Sequence, residues 1–449
     1  LNGNFRTAFE FRASALRKQR RKHQSEPDGG DVSIDDEFAT QLGLWSSASD
    51  FWSTIGWAFH CSAAHPRRWR YWKLWLEFML DVMGADWKQR HDMDVRRHSN
   101  GDMDDKKEFT ACNESILAMY INSLRSERKN PLREIQRAVL AFADGTMKDA
   151  ALYREIFTHE TAELVEKKRK RPALDLEHNH FGDYLDNDED YDFGNGIEAD
   201  WDDQETPDKR KPRARKRRRR PSLPKWDLEE QSQEVVVGAG LEESVSLRLR
   251  LFALLSRAAL CLPNPYTSVE ELYDSFGIAI SRLPLQMFRL FVASSSTIAG
   301  DIEVYVTMLR YTIRPLLPSH APTPKPRLTD THTTVEMGIS MRLICRSFLP
   351  FASSRIFAQD NAKLSLCIEH MLRILWTSGA APWHPNLRGL LEKGITARQE
   401  QASRKGRGKP LFSESHPEVY AKKILDASSR NLRFVVDLIE ADRPSASKS

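Results

Sequence analysis

Residues 175–220 cannot fold by burying apolar surface, and that limit divides the rest of the chain. Between 175 and 208 there are 14 Asp/Glu and no Lys or Arg, and residues 209–220 then bring 10 Lys/Arg and no acid. A segment so charged and so poor in aliphatic side chains gains too little from burial to offset the entropy of ordering it, so it reads as a solvated, disordered linker. Ordered structure is expected on either side. The formal net charge of +4 over 449 residues hides this separation, so local charge is the better guide.

Both flanks read as helix. Pro66 suits a first helical turn, and Trp69, Trp72, Trp75, Phe78, Met79 and Val82 recur behind it at helical spacing. Gly84 offers a C-cap for that helix, and the polar span 88–108 reads as a loop. Ser47, placed before Asp50 as in a capping box, is expected to start a helix bearing Phe51, Trp52, Ile55 and Phe59. Further helices are expected near 113–126, 132–144 and 149–168, with Pro172 as the stop. Beyond the tract, 241–262 is apolar over most of its circumference, which predicts a buried helix. Ser268 and Glu271 make a capping box for the next, and helical patterns follow near 284–296, 301–316, 333–351, 360–378 and 417–441.

Alternation at period two hardly occurs, so the expected class is all-α: irregular helical-repeat (α-solenoid-like) or multi-helix bundle domains separated by a disordered charged linker. The expected divisions are a basic, mostly disordered tail (1–37), a Trp-rich helical domain (38–168), the acidic/basic linker (169–225), a helical-repeat-like domain (226–396), and a basic flexible segment with a C-terminal helix (397–449). Whether the two helical domains pack together is left open.

Several function classes lose ground. Cys61, Cys112, Cys261, Cys345 and Cys367 form no C-x-x-C pair or zinc spacing, which points to free thiols in a reducing compartment and to no metal. No apolar run reaches membrane-spanning length and no secretory leader opens the chain, so a soluble intracellular protein without membrane contact is expected. The first residue is Leu rather than Met, which reads as a fragment, and the Arg-rich stretch from Phe5 to Lys22 permits a mitochondrial presequence as a minor alternative. Asp186, Asp188 and Asp190 mimic calcium-loop positions, yet Tyr191 and Ile197 stand where such a loop needs Gly and Glu. His178 and His180 read as solvated. None of the linear nucleotide-binding, hydrolase or zinc-protease motifs occurs, so no catalytic residue and no cofactor is expected.

Three sets of residues carry the functional expectation. The basic blocks Lys167, Lys168, Arg169, Lys170 and Arg171, and Lys209, Arg210, Lys211, Arg213, Arg215, Lys216, Arg217, Arg218, Arg219 and Arg220, suit the acidic groove of a nuclear import receptor. Thr206 and Ser222 sit in kinase-favoured contexts at the block's edge, where a phosphate would weaken its recognition. The third set is Trp69, Trp72 and Trp75 with Arg67, Arg68, Arg70 and Lys73 interleaved: a contact surface, or a core stripe with a wet basic face behind it, the core being the favoured reading.

The run RRWRYWKLWLEFML, 67–80, resembles the aromatic helix of half-a-TPR repeats, although Glu77 is out of register and no second copy follows. No function is carried over on that resemblance; the helical pattern and the charged tract lead to the expectation of a non-catalytic nuclear scaffold in a chromatin or DNA-maintenance complex, contacting other nuclear proteins through helical grooves and attracting DNA or RNA without sequence preference. An RNA-binding ribosome-assembly or RNA-processing factor is the alternative, with an enzyme built across the helices third.

Overall fold

The computed structural model describes residue 9 and residues 44–99, 109–127, 129–144, 153–157, 238–264, 266–293, 302–322, 339–379, 381, 384–404 and 416–442. Among these residues the structure is all-α, without a strand. N-terminal to the charged tract lie α1 (Leu44–Ser47), α2 (Phe51–Ala64), α3 (Pro66–Ser99), α4 (Thr110–Asn113), α5 (Ile116–Ser126) and α6 (Pro131–Val139). C-terminal to it lie α7 (Ala239–Cys261), α8 (Val269–Arg282), α9 (Leu285–Ala293), α10 (Ile302–Ile313), α11 (Met341–Ser347), α12 (Ala358–Thr377), α13 (Leu387–Ser403) and α14 (His416–Ala441). The helices on the two sides of the tract belong to one compact unit. The joint is α7, which packs against α2, α3 and α6 on one side and α8 and α9 on the other. Farther along, α12 packs on α9, α10, α11, α13 and α14. One hydrophobic core runs through both halves, from Phe51 and Leu76 through Leu251 and Phe288 to Leu372 and Val436.

Helix starts follow local chemistry. Asp50 caps α2, its Oδ1 accepting the Ser53 amide at 2.8 Å, so the cap lies three residues later than Ser47, which closes α1 instead. Ser115 caps α5 and Asn130 caps α6, where Pro131 occupies the first turn. The expected capping box at Ser268 and Glu271 is present at the head of α8.

Three expectations are corrected. α3 does not end at Gly84 but continues to Ser99. Its second half reads as polar because two buried positions there are acids that serve other helices. Asp86 accepts the Ile116 amide at 2.8 Å at the head of α5, and Asp94 accepts the Ala111 and Cys112 amides at 3.0 and 2.9 Å in α4. The second correction is that residues 153–157, inside the helix expected over 149–168, form bends. Tyr153 is buried there against Gly56, where a Cβ would collide with its ring. Finally, 397–403 is not a flexible segment but the last part of α13. Arg398 on this helix is fully buried and donates from Nη1 to the carbonyls of Leu349 and Phe351 at 3.0 and 3.1 Å.

Buried cations mirror the buried acids. Arg248 on α7 donates to the Val139 carbonyl at the end of α6 at 2.6 Å and lies 4.0 Å over the Phe59 ring. Lys363 on α12 donates to the Ser281 carbonyl in the last turn of α8 at 2.9 Å, and burial pulls its pKa down to about 8. Each cation therefore meets the negative end of a helix, and each acid the positive end of another.

Two outcomes follow for stability. Asp94→Ala leaves two buried amides without an acceptor and should cost about 3 kcal/mol, while Asp94→Asn, which keeps one acceptor oxygen, should cost about half as much; chemical denaturation reads both. Burial, and then the neighbouring His65, lower the His60 pKa to about 4. The folded pKa lies below that of the unfolded chain, so the unfolded state holds more protons between pH 6.5 and 4. Stability should therefore fall as pH drops through that window, by up to about 1.4 kcal/mol per pH unit for this group. His60→Phe, which keeps a ring against Phe142, should flatten the denaturation midpoint over the same range.

Candidate functional site

α3 is apolar on more than one face, and its two faces meet different fates. Trp69 and Trp72 point into the core, at 4% and 5% exposure, so the core reading holds for both. Trp75 is half-buried, with its ring 5.5 Å from Trp72 and 6.3 Å from Phe51. The interleaved cations face outward to differing degrees: Arg67 and Arg70 are exposed, while Arg68 and Lys73 are half-buried. Lys73 Nζ and the Trp69 indole N–H both donate to Glu243 Oε2 on α7, each at 3.1 Å, which lowers the Glu243 pKa. The sequence-predicted set is thus split, with two indoles bound into the core and the basic residues left at the surface.

What reaches solvent on this helix is Phe78, which the sequence reading put in the Trp row, together with Tyr71 and Leu74, which it passed over. Tyr71, Leu74 and Phe78 are 57%, 64% and 55% exposed, and their spacing places them on one face. Asp81, Ala85 and Lys88 continue that face. Arg70 extends it toward the N-terminus, donating to the Tyr71 hydroxyl at 2.9 Å with its guanidinium 4.7 Å from the ring centroid.

The stripe leads into a groove of about 970 Å³ between α3 and α7. Leu80, Gly84, Trp87 and Leu254 supply apolar walls, and Lys88, His91, Arg250 and Arg257 set cationic groups around them. Arg250 is paired with Asp81 at 2.5 Å, which pins α7 to α3 along the edge. His91 stacks on Phe109 at 5.8 Å, closing one end, and Leu260 stands 65% exposed near it. In the same wall Cys261 neighbours the buried Cys112 thiol. That contact, with burial and the nearby Asp94, pushes Cys112 far above the usual thiol range and leaves Cys261 the more acidic of the two. The groove thus sets apolar walls beside cationic side chains.

The import blocks 167–171 and 209–220, with Thr206 and Ser222, lie outside the described residues. Among the described residues no group of three or more His, Cys, Asp or Glu side chains is placed to hold a metal ion, and no helix is long and apolar enough to cross a membrane. Comparison with protein-family models, with curated proteins and with solved structures finds no match to this chain.

The split of α3 is open to direct measurement. Trp72→Ala should destabilise the chain by about 3–5 kcal/mol in denaturant titration, as expected for a large core side chain. Leu74→Asp combined with Phe78→Asp should stay within about 0.5 kcal/mol of the parent, because both side chains already face water.

Proposed function

We propose that this chain is a non-catalytic nuclear helical scaffold that docks protein partners of a chromatin or DNA-maintenance assembly, while its basic blocks serve an import receptor and attract nucleic acid without sequence preference. The observation that carries the docking part is the continuous exposed stripe Tyr71–Leu74–Phe78 opening into the α3/α7 groove. Three large apolar side chains more than half exposed on one helical face lower the free energy of association when covered. The nuclear part rests on the two basic blocks, whose extended Lys and Arg side chains match an acidic groove.

A second reading, an RNA-binding factor of ribosome assembly or RNA processing, draws on Lys88, Arg257 and the Phe109 ring in the same groove, since cations beside an aromatic ring suit a single strand.

Affinity purification of the full chain from nuclease-treated nuclear extract, beside the Leu74→Asp/Phe78→Asp variant, tests the docking reading. A defined set of proteins should accompany the parent chain and fall about tenfold with the variant, in line with the loss of two anchor side chains. An unchanged set would mean that this face does no docking. Partners that vanish with nuclease alone would move the account to the RNA-binding reading.

A further inference from the structure

We infer that the occupant of the α3/α7 face is an acidic amphipathic helix of a partner protein, its apolar side chains against Tyr71, Leu74 and Phe78 and its carboxylates against Arg70 and Lys88. This deepens the docking reading above and rests on it.

The charge balance of the face points to an acidic ligand. Arg67, Arg70 and Lys88 lie along the outer side of α3 with no carboxylate at ion-pair distance among the described residues. Of the acids in the same region, Asp81 is already paired with Arg250, Glu77 is half-buried, and the exposed Asp92 lies one turn beyond Lys88, past the end of the apolar row. A partner bearing carboxylates on its flanks would meet attraction from both ends of the stripe, whereas a basic partner would meet repulsion.

The backbone favours a helix over a strand. A strand binds by adding to a sheet edge with free N–H and C=O groups, and a face made of two α-helices offers none. A helix instead buries side chains at three- and four-residue spacing, and Tyr71, Leu74 and Phe78 present that spacing. Past the C-terminal end of this row α3 and α7 leave a groove lined from Leu80 to His91, where the partner helix can continue its contact.

A nucleic-acid strand fits the same face poorly. From Arg70 to Lys88 the helix rises about 27 Å. Along that path Lys73 is bound to Glu243 and Arg250 to Asp81, so phosphates would cross a long stretch of hydrocarbon without a cation to neutralise them. Leu74, the most exposed of the three apolar side chains, offers nothing to a phosphate and no ring for a base to stack upon.

The test uses the full chain and three fluorescein-labelled probes read by anisotropy. One is a peptide of about 18 residues with Leu along one helical face and Glu beside it, the second replaces Glu by Lys, and the third is a single-stranded RNA of matching length. The acidic peptide should bind and gain helical circular dichroism. Its Kd should rise about tenfold or more with Leu74→Asp/Phe78→Asp, and by a similar factor with Arg70→Glu/Lys88→Glu. Because Leu74 and Phe78 are exposed, an unchanged far-ultraviolet spectrum in the variant separates lost binding from lost folding.

Equal binding of acidic and basic peptides, or acidic-peptide binding indifferent to both variants, would overturn the proposal. So would RNA that binds more tightly and is lost with the same variants. If the acidic peptide fails while Leu74→Asp/Phe78→Asp still strips partners in the purification, the acidic helix is wrong and the docking reading survives. Failure of both experiments removes both.

Discussion

Buried charges that terminate other helices hold this fold together. An α-helix leaves its first amides and last carbonyls without internal partners, and when those ends are buried something must satisfy them. Here the partner repeatedly comes from another element. Asp86 and Asp94 on α3 accept the leading amides of α5 and α4, while Arg248, Lys363 and Arg398 donate hydrogen bonds to carbonyls at or just past the ends of α6, α8 and α11. The sign is consistent, with anions at N-termini and cations at C-terminal ends, so each charge gains from the helix dipole as well as from its hydrogen bonds. Arg248 matters most for the architecture, because it sits on α7 and closes a helix from the far side of the charged tract. The two sequence regions are joined by that contact and by the apolar side chains of α7, so their covalent connection need not position them.

The same device explains what could and could not be read from the sequence. α8 was legible from the Ser268/Glu271 capping box at its start, and α7 because apolar side chains occupy most of its circumference. The second half of α3 was not, since Asp86 and Asp94 occupy positions where a periodicity argument looks for hydrocarbon. α13 failed for the matching reason. Arg398, which reads as surface, is fully buried, and Gly394, which reads as a breaker, brings α13 against the Leu349 carbonyl where a Cβ would not fit. In both helices a buried charge was mistaken for a solvated one, because its partner is a backbone group distant in sequence.

On α3 the sequence reading weighed the Trp row and the cations interleaved with it, and the exposed row beside them went unweighed. Tryptophan drew attention because it is large and rare, yet size is also what makes Trp69 and Trp72 effective core residues. The informative pattern was the presence of Tyr71, Leu74 and Phe78 in addition to the Trp row. A helix that buries one stripe can keep its opposite side polar, so a second apolar row signals a second surface to be covered. The groove's other half had no such signal. Arg250, Arg257 and Leu260 are separated from α3 by more than 150 residues and meet it only after folding.

The way α3 is held bears on how well its outer face can bind. Trp69 donates to Glu243 and Lys73 pairs with the same carboxylate, while farther along Asp81 is paired with Arg250 and Asp86 accepts the Ile116 amide. Gly240 lets the first turn of α7 approach the Ser62 carbonyl and Trp69 closely, which locks α7 onto the α2/α3 elbow. The stripe therefore rides on a helix clamped along most of its length, and little backbone freedom remains to be lost when a partner covers it. Anchors presented on such a support bind with a smaller entropic penalty than the same side chains on a loop. On the docking reading proposed above, that rigidity would come from the long-range ion pairs and helix-end contacts that also stabilise the core.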